Sequence, residues 1–175
     1  MASFPQAIEK SNDLFNSTEH GQVTDEQAHD QAVQLLSNVE EARGFFVALL
    51  TGQSAIADAP PRWLIEAMRE QINVVAELLA KNLVMSTATK LIHERKGDAA
   101  AAAGSQTVAT RTAGIIKKLE APGLQSALTQ LSSAVDDRLG EKDSPDSSWD
   151  AFLRKWGYDL EQLQAMKVAL ADCRS

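Results

Sequence analysis

Between Trp63 and Leu83 the apolar residues Leu64, Met68, Ile72, Val75 and Leu79 recur at helical spacing, with Arg62, Glu66, Arg69, Glu70, Asn73, Glu77 and Lys81 opposite them. At about 100° per residue this is one apolar stripe on an amphipathic helix. Beyond Asn82 the stripe changes sides. Val84, Ala88, Leu91 and Arg95 continue the formerly polar side, while Ser86, Thr89, Lys90 and His93 continue the formerly apolar one. No proline or glycine lies between Pro61 and Gly97, so the pattern predicts a single helix over Pro61–Lys96 that buries opposite sides at its two ends. At 1.5 Å per residue it would be about 54 Å long, more than a compact domain of this size needs. Its far half is expected to pack on segments after residue 105 or on a second copy of the chain. A homodimer is therefore expected, with Val84, Ala88 and Leu91 as the dimer or partner surface.

The rest of the chain also reads at helical period, and no strand is expected. Ser3–Asn16 is a short helix with Ile8, Leu14 and Phe15 as anchors. Thr24 and Gln27 have capping-box spacing, and Asp25 and Glu26 complement a positive helix start. One helix from there buries Ala28, Ala32, Leu35, Leu36, Val39, Phe46 and Leu50 and stops at Gly52. The stretch GDAAAAAGS after Lys96 is expected to be mobile, with a helix over Ser105–Leu119. Past Pro122 and Gly123, Leu124, Leu128, Leu131, Val135 and Leu139 form one narrow seam. A charged loop over Gly140–Ser144 leads to a helix from Pro145 to Gly157 and a last helix capped by Asp159. The fold is expected to be all-α: six to seven helices in an antiparallel bundle around one long central helix, with a C-terminal helical hairpin. Residues 1–140 form the bundle and 141–175 the hairpin packed on it, or the whole of 1–175 is a single domain.

Composition narrows the function classes. A 44% hydrophobic fraction supplies a core. The longest bulky apolar run, Phe45 to Leu50, falls far short of the roughly 20 residues that cross a bilayer, and the start MASFPQAIEK lacks the apolar region of a secretory signal. Cys173 is the one cysteine, so a reducing cytoplasm is the expected location. The net charge of −7 argues against nucleic acid as a partner, yet it is unevenly spread. Residues 81–118 carry 7 basic and 2 acidic side chains, whereas residues 1–80 carry 4 basic and 12 acidic. A basic middle either pairs with the chain's own carboxylates or meets an anionic partner.

Catalytic signatures are missing. Glu26 and His29 have the Glu-x-x-His spacing of bundle metal sites, but no second copy accompanies them, and a solvated helix start is the better reading. No metal and no cofactor is expected. Cys173 sits near the end, and no serine elbow, phosphate-cradling glycine loop or paired-carboxylate motif occurs. Asp136 and Asp137 diverge on a helix, and Glu141, Asp143, Asp146 and Asp150 lack the spacing of a calcium loop.

Two surfaces remain as candidates for ligand or partner binding. Arg43 falls on the apolar side with Ala32, Leu36, Val39, Val47 and Leu50, where a charge either finds a carboxylate, carbonyls or a bound anion or snorkels outward along its stem. Asn82, Ser86, Thr89, Lys90 and His93 continue what was a core face; this side either simply faces water or lines a groove with Lys96, Arg111 and a helix start at Ser105. The three tryptophans, Trp63, Trp149 and Trp156, are expected to be core anchors. The expected function is a non-enzymatic cytoplasmic protein for protein–protein interaction or assembly, as a homodimer. The alternative is a binding module for a small anionic or apolar ligand at Arg43 or the basic middle.

Overall fold

Polar side chains at the helix starts set most of the boundaries. The computed structural model describes residues 3–140 and 147–174. Among them it has nine α-helices and no strand: α1 (Phe4–Glu19), α2 (Asp25–Leu36), α3 (Val39–Thr51), α4 (Arg62–Glu70), α5 (Ile72–Arg95), α6 (Ala99–Leu119), α7 (Pro122–Leu139), α8 (Ser148–Trp156) and α9 (Leu160–Cys173), with a 3₁₀ turn at Ala55–Ala57. At α2 the Thr24 hydroxyl accepts the Gln27 N–H at 3.2 Å and the Gln27 side chain accepts the Thr24 N–H at 3.0 Å. Asp159 and Gln162 repeat this exchange at α9. Each cap satisfies amide groups that the helix itself leaves unpaired. The expected loop after Gly140, the helix start at Pro145 and the acidic residues Glu141, Asp143 and Asp146 fall on 141–146, outside the described residues. Asp150, expected in a solvated run, is buried on α8 and paired with Arg154 at 2.7 Å.

Three boundaries differ from expectation. The helix opened by Thr24 stops at Leu36. Ser37 Oγ turns back to the Gln34 carbonyl at 2.7 Å, and the Asn38 side chain accepts the Glu41 N–H at 2.9 Å to start α3. Two short polar residues compete successfully with helix continuation. The long helix is broken as well, at Gln71 (φ −103°, ψ 27°), while α5 runs unbroken through the change of stripe beyond Asn82. No proline or glycine causes this break. α4 packs chiefly on α2, whereas α5 packs chiefly on α6, α7 and α9, so the two segments serve different main neighbours and the chain turns between them. The alanine run is helical, because Asp98 accepts the Ala101 N–H at 3.0 Å and opens α6 six residues before the expected start.

α5 is the centre of the molecule. Val75, Leu79, Val84 and Ala88 on it are all fully buried, so it does bury both of its expected stripes. The partners are helices of the same chain: the Gln162 side chain on α9 donates to the Ala88 carbonyl at 3.2 Å. One hydrophobic cluster runs from Ala7 on α1 to Cys173 on α9, and α9 packs on both α5 and α7. Beside it, α1 crosses α3 at Gly44. A Cβ placed there would lie 2.7 Å from Ala7 Cβ and 2.9 Å from the Phe4 carbonyl oxygen, so only glycine permits this approach.

Candidate functional site

The break at Ser37–Asn38 reorients α3 relative to α2, and the apolar stripe that Arg43 belongs to no longer lines up with Ala32 and Leu36. Val39, Arg43 and Val47, four residues apart on one face, consequently point outward. Val39 is 57% and Val47 39% exposed. Arg43 is exposed too, its guanidinium stacked over the Phe4 ring at 5.7 Å. Of the readings open to Arg43, the outward one is seen: its stem runs along an aromatic face and its charge meets water.

These residues line one side of a groove of about 660 Å³. α5 supplies its floor with Val74, Glu77, Leu78, Lys81, Asn82 and Met85, and α8 adds Phe152, Lys155 and Trp156. Trp156 is 52% exposed, whereas Trp63 and Trp149 are core anchors as expected. Lys81 pairs with Glu77 and lies 5.4 Å from the Phe152 ring centre. Apolar walls with cations over aromatic rings suit a partner that brings both apolar and negatively charged groups.

A second cleft of about 590 Å³ adjoins the first, and Asn82 and Met85 line both. It gathers Asn82, Ser86, Thr89, Ser105 and Arg111, residues that the groove reading places together. Lys90 and His93 line neither cleft; Lys90 faces Glu94 at 3.5 Å instead. Ser105 lies inside α6, so the helix start expected at that residue is not there. Ser86 is buried and its hydroxyl donates to the Asn82 carbonyl at 2.6 Å.

Arg111 is already occupied. Its side chain is 10% exposed and grips Asp58 through two nitrogens, at 2.8 and 3.0 Å. It also donates to the carbonyls of Leu50 and Gly52, at 3.1 and 2.8 Å. Those are unpaired carbonyls at the negative end of α3, so a guanidinium from α6 caps that helix. The Arg111 hydrogen bond holds the Asp58 carboxyl below the usual carboxylate range. Arg95 likewise bridges to Asp159 and Glu161 on α9, and this pushes the Asp159 carboxyl down to about 2. Much of the basic middle is therefore paired with the chain's own acids.

The strip Val84, Ala88 and Leu91 is corrected in the same way. Val84 and Ala88 are inside the chain and Leu91 is half-buried: of the two partners expected for the far half of α5, it is the chain's own later segments, α6 and α9, that cover it.

A third concavity, between α2 and α4, is lined by charges of both signs: Asp25, Glu26, His29, Arg62, Glu66, Arg69 and Glu70. His29 contacts Asp30 at 3.2 Å and Glu70 at 3.1 Å. The Asp30 hydrogen bond leads in raising its pKa above 6.5. Arg62 pairs with Glu66 at 2.7 Å and Arg69 donates to the Leu119 carbonyl at 3.0 Å. Glu26 and His29 both line this cleft, but no set of three or more metal-ligating side chains converges there among the described residues.

Residues 3–173 match the family described as uncharacterised conserved protein UCP020893. The chain belongs to that family. The match takes in every helix of the groove, from Phe4 on α1 to Trp156 on α8. No curated protein and no solved structure matches the chain. Among the described residues no helix is long and apolar enough to cross a membrane.

The sequence reading missed Lys155, Phe152 and the outward stripe of Val39 and Val47. Their four-residue spacing was visible, but its direction depended on the break at Ser37–Asn38.

Proposed function

We propose that this chain is a non-enzymatic cytoplasmic interaction protein that receives a segment of a partner protein in the groove between α3, α5 and α8. One observation carries the reading: Val39, Val47 and Trp156, three of the six exposed large hydrophobic side chains among the described residues, line the same concave surface. Isolated exposed apolar residues need no explanation, whereas several on one concave face mark an interaction site. The chain's lone cysteine is a free thiol, which suits a reducing compartment.

The groove's lining is spread over α3, α5 and α8 and mixes apolar side chains with Arg43, Lys81 and Lys155, which favours a polypeptide over a small molecule. A small-anion site at Arg111 has less support, since that guanidinium is spent on Asp58 and the end of α3. A homodimer loses its original argument too, because the far half of α5 is covered by α6 and α9.

The reading is tested by placing a photo-crosslinking residue at Val47 or Trp156 in the source cells, with exposed Ser133 on α7 as the control position. Adducts of one discrete mass at both groove positions, lost when Val39→Asp is added, are the expected result. Adducts equal to those at Ser133, or unaffected by Val39→Asp, would sink the reading.

A further inference from the structure

The groove has a length, a pattern and a sign of charge, and together they specify its occupant. Its floor with the adjoining cleft runs along α5 from Asn73 to Thr89. That stretch is about 24 Å at 1.5 Å per residue, the length of a helix of about 16 residues. Val74, Leu78, Lys81 and Met85 on the floor repeat at three- and four-residue intervals, and Val39 and Val47 run along the wall. A helix lying in this groove would meet them with an apolar stripe of the same period.

Charge adds the second constraint. The chain carries −7 overall, yet the lining of the larger groove holds Arg43, Lys81 and Lys155 against the single carboxylate of Glu77. Lys81 already engages Glu77. Arg43 on α3 and Lys155 on α8 have no carboxylate partner among the described residues and stand on different helices of the lining. Resting on the docking reading above, we propose that the occupant is an amphipathic α-helix of a partner protein, with acidic residues on either side of its apolar stripe. The concave shape separates this occupant from a lipid surface, which would meet apolar groups projecting from a convex face.

The test uses the full chain and two capped, lactam-stapled helical peptides of about 16 residues. Both carry leucines at the groove's period; glutamates flank the leucines in one peptide, and lysines replace the glutamates in the other. By fluorescence anisotropy at low salt, the acidic peptide is expected to bind at least about tenfold more tightly. That preference should shrink at about 0.5 M salt, where screening lengths fall to a few ångströms. Arg43→Glu combined with Lys155→Glu should reverse it with the helical circular dichroism unchanged, and Val47→Asp should weaken both peptides.

Equal or reversed preference in the native chain overturns the proposal. So does tighter binding to anionic phosphatidylglycerol vesicles that the double charge reversal abolishes, which would identify a lipid surface. A dimer in light scattering that Val47→Asp dissolves would place a second copy in the groove instead. Failure of both peptides while the Val47 crosslinks persist removes the acidic helix but leaves the docking reading intact. Loss of the crosslinks removes both.

Discussion

Replacing Gly44 with alanine sets two effects of opposite sign against each other, and the structure decides between them. Gly44 is inside α3, where alanine is worth about 1 kcal/mol more than glycine through helix propensity alone. The new methyl, however, would lie 2.7 Å from Ala7 Cβ, 2.9 Å from the Phe4 carbonyl oxygen and 3.1 Å from the Ile8 nitrogen. Two of these three atoms are backbone and cannot rotate aside, so α1 must retreat by about 1 Å to restore ordinary contact distances. A gap of that size forfeits about a quarter to a half of the dispersion energy along the seam, and it loosens Leu14 and Phe15, which α1 buries. Overpacking of this kind costs about 1–3 kcal/mol, occasionally more. Because backbone atoms block relief, the upper part of that range applies, and the net expectation is a loss of about 1–2 kcal/mol after the propensity gain. For a chain of this size that is a fall of about 2–8 °C in melting temperature. Urea denaturation followed by circular dichroism measures it, with Gly114→Ala as the control. Gly114 is on α6 with nothing within 4 Å of an added Cβ, so the same substitution there should raise stability by about 0.5–1 kcal/mol. If Gly44→Ala matched Gly114→Ala in sign, the close approach of α1 to α3 would be wrong.

Arg111→Lys should lower stability by about 2–3 kcal/mol, since one ammonium cannot hold Asp58 and the end of α3 together; a chemical denaturation midpoint within error of the parent refutes this. His29 titrates above 6.5 in the folded chain, so its ion pairs add stability that is fully present below pH 6.5 and fades as pH rises through the folded value. The stability gap between the parent and His29→Gln should therefore be wider at about pH 5.5 than at about pH 8.5, and a gap that widens with pH contradicts it. Ser132 Oγ is buried on α7 with no hydrogen-bond partner among the described residues, so Ser132→Ala should be neutral or stabilising by up to about 1 kcal/mol. A clear loss in thermal melts would show that the hydroxyl has a partner after all.

Features controlled by neighbouring residues were the legible ones. The exchanges of Thr24 with Gln27 and of Asp159 with Gln162, the end of α8 at Gly157 and the leucine seam of α7 each depend on fewer than eight residues of local pattern. The break at Gln71 was hidden because its cause lies in α2, α6, α7 and α9, not in the residues around it. The same holds for Arg43. Its place on an apolar stripe could be read, but the stripe's direction followed from a turn at Ser37–Asn38 that looked like ordinary helix. Ser86, Thr89 and Arg111 line one cleft, yet spacing alone could not show that Asp58 and two carbonyls would claim the guanidinium. Leu160 makes the converse point: it fits the apolar period of α9 but is exposed at the first turn, beyond the reach of the neighbouring helices.

The Arg111 grip bears on how the chain acquires its shape as it is made. The corner between α3 and α4 has an early tether in Glu19, whose carboxylate accepts from the Ser54 hydroxyl at 2.6 Å and the Ala55 N–H at 3.2 Å. Its main fastening comes from a residue 53 positions after Asp58. A nascent polypeptide halted short of that point would carry α1 to α4 with the far end of α3 uncapped. The wall of the groove would acquire its final form only when α6 emerged and folded back.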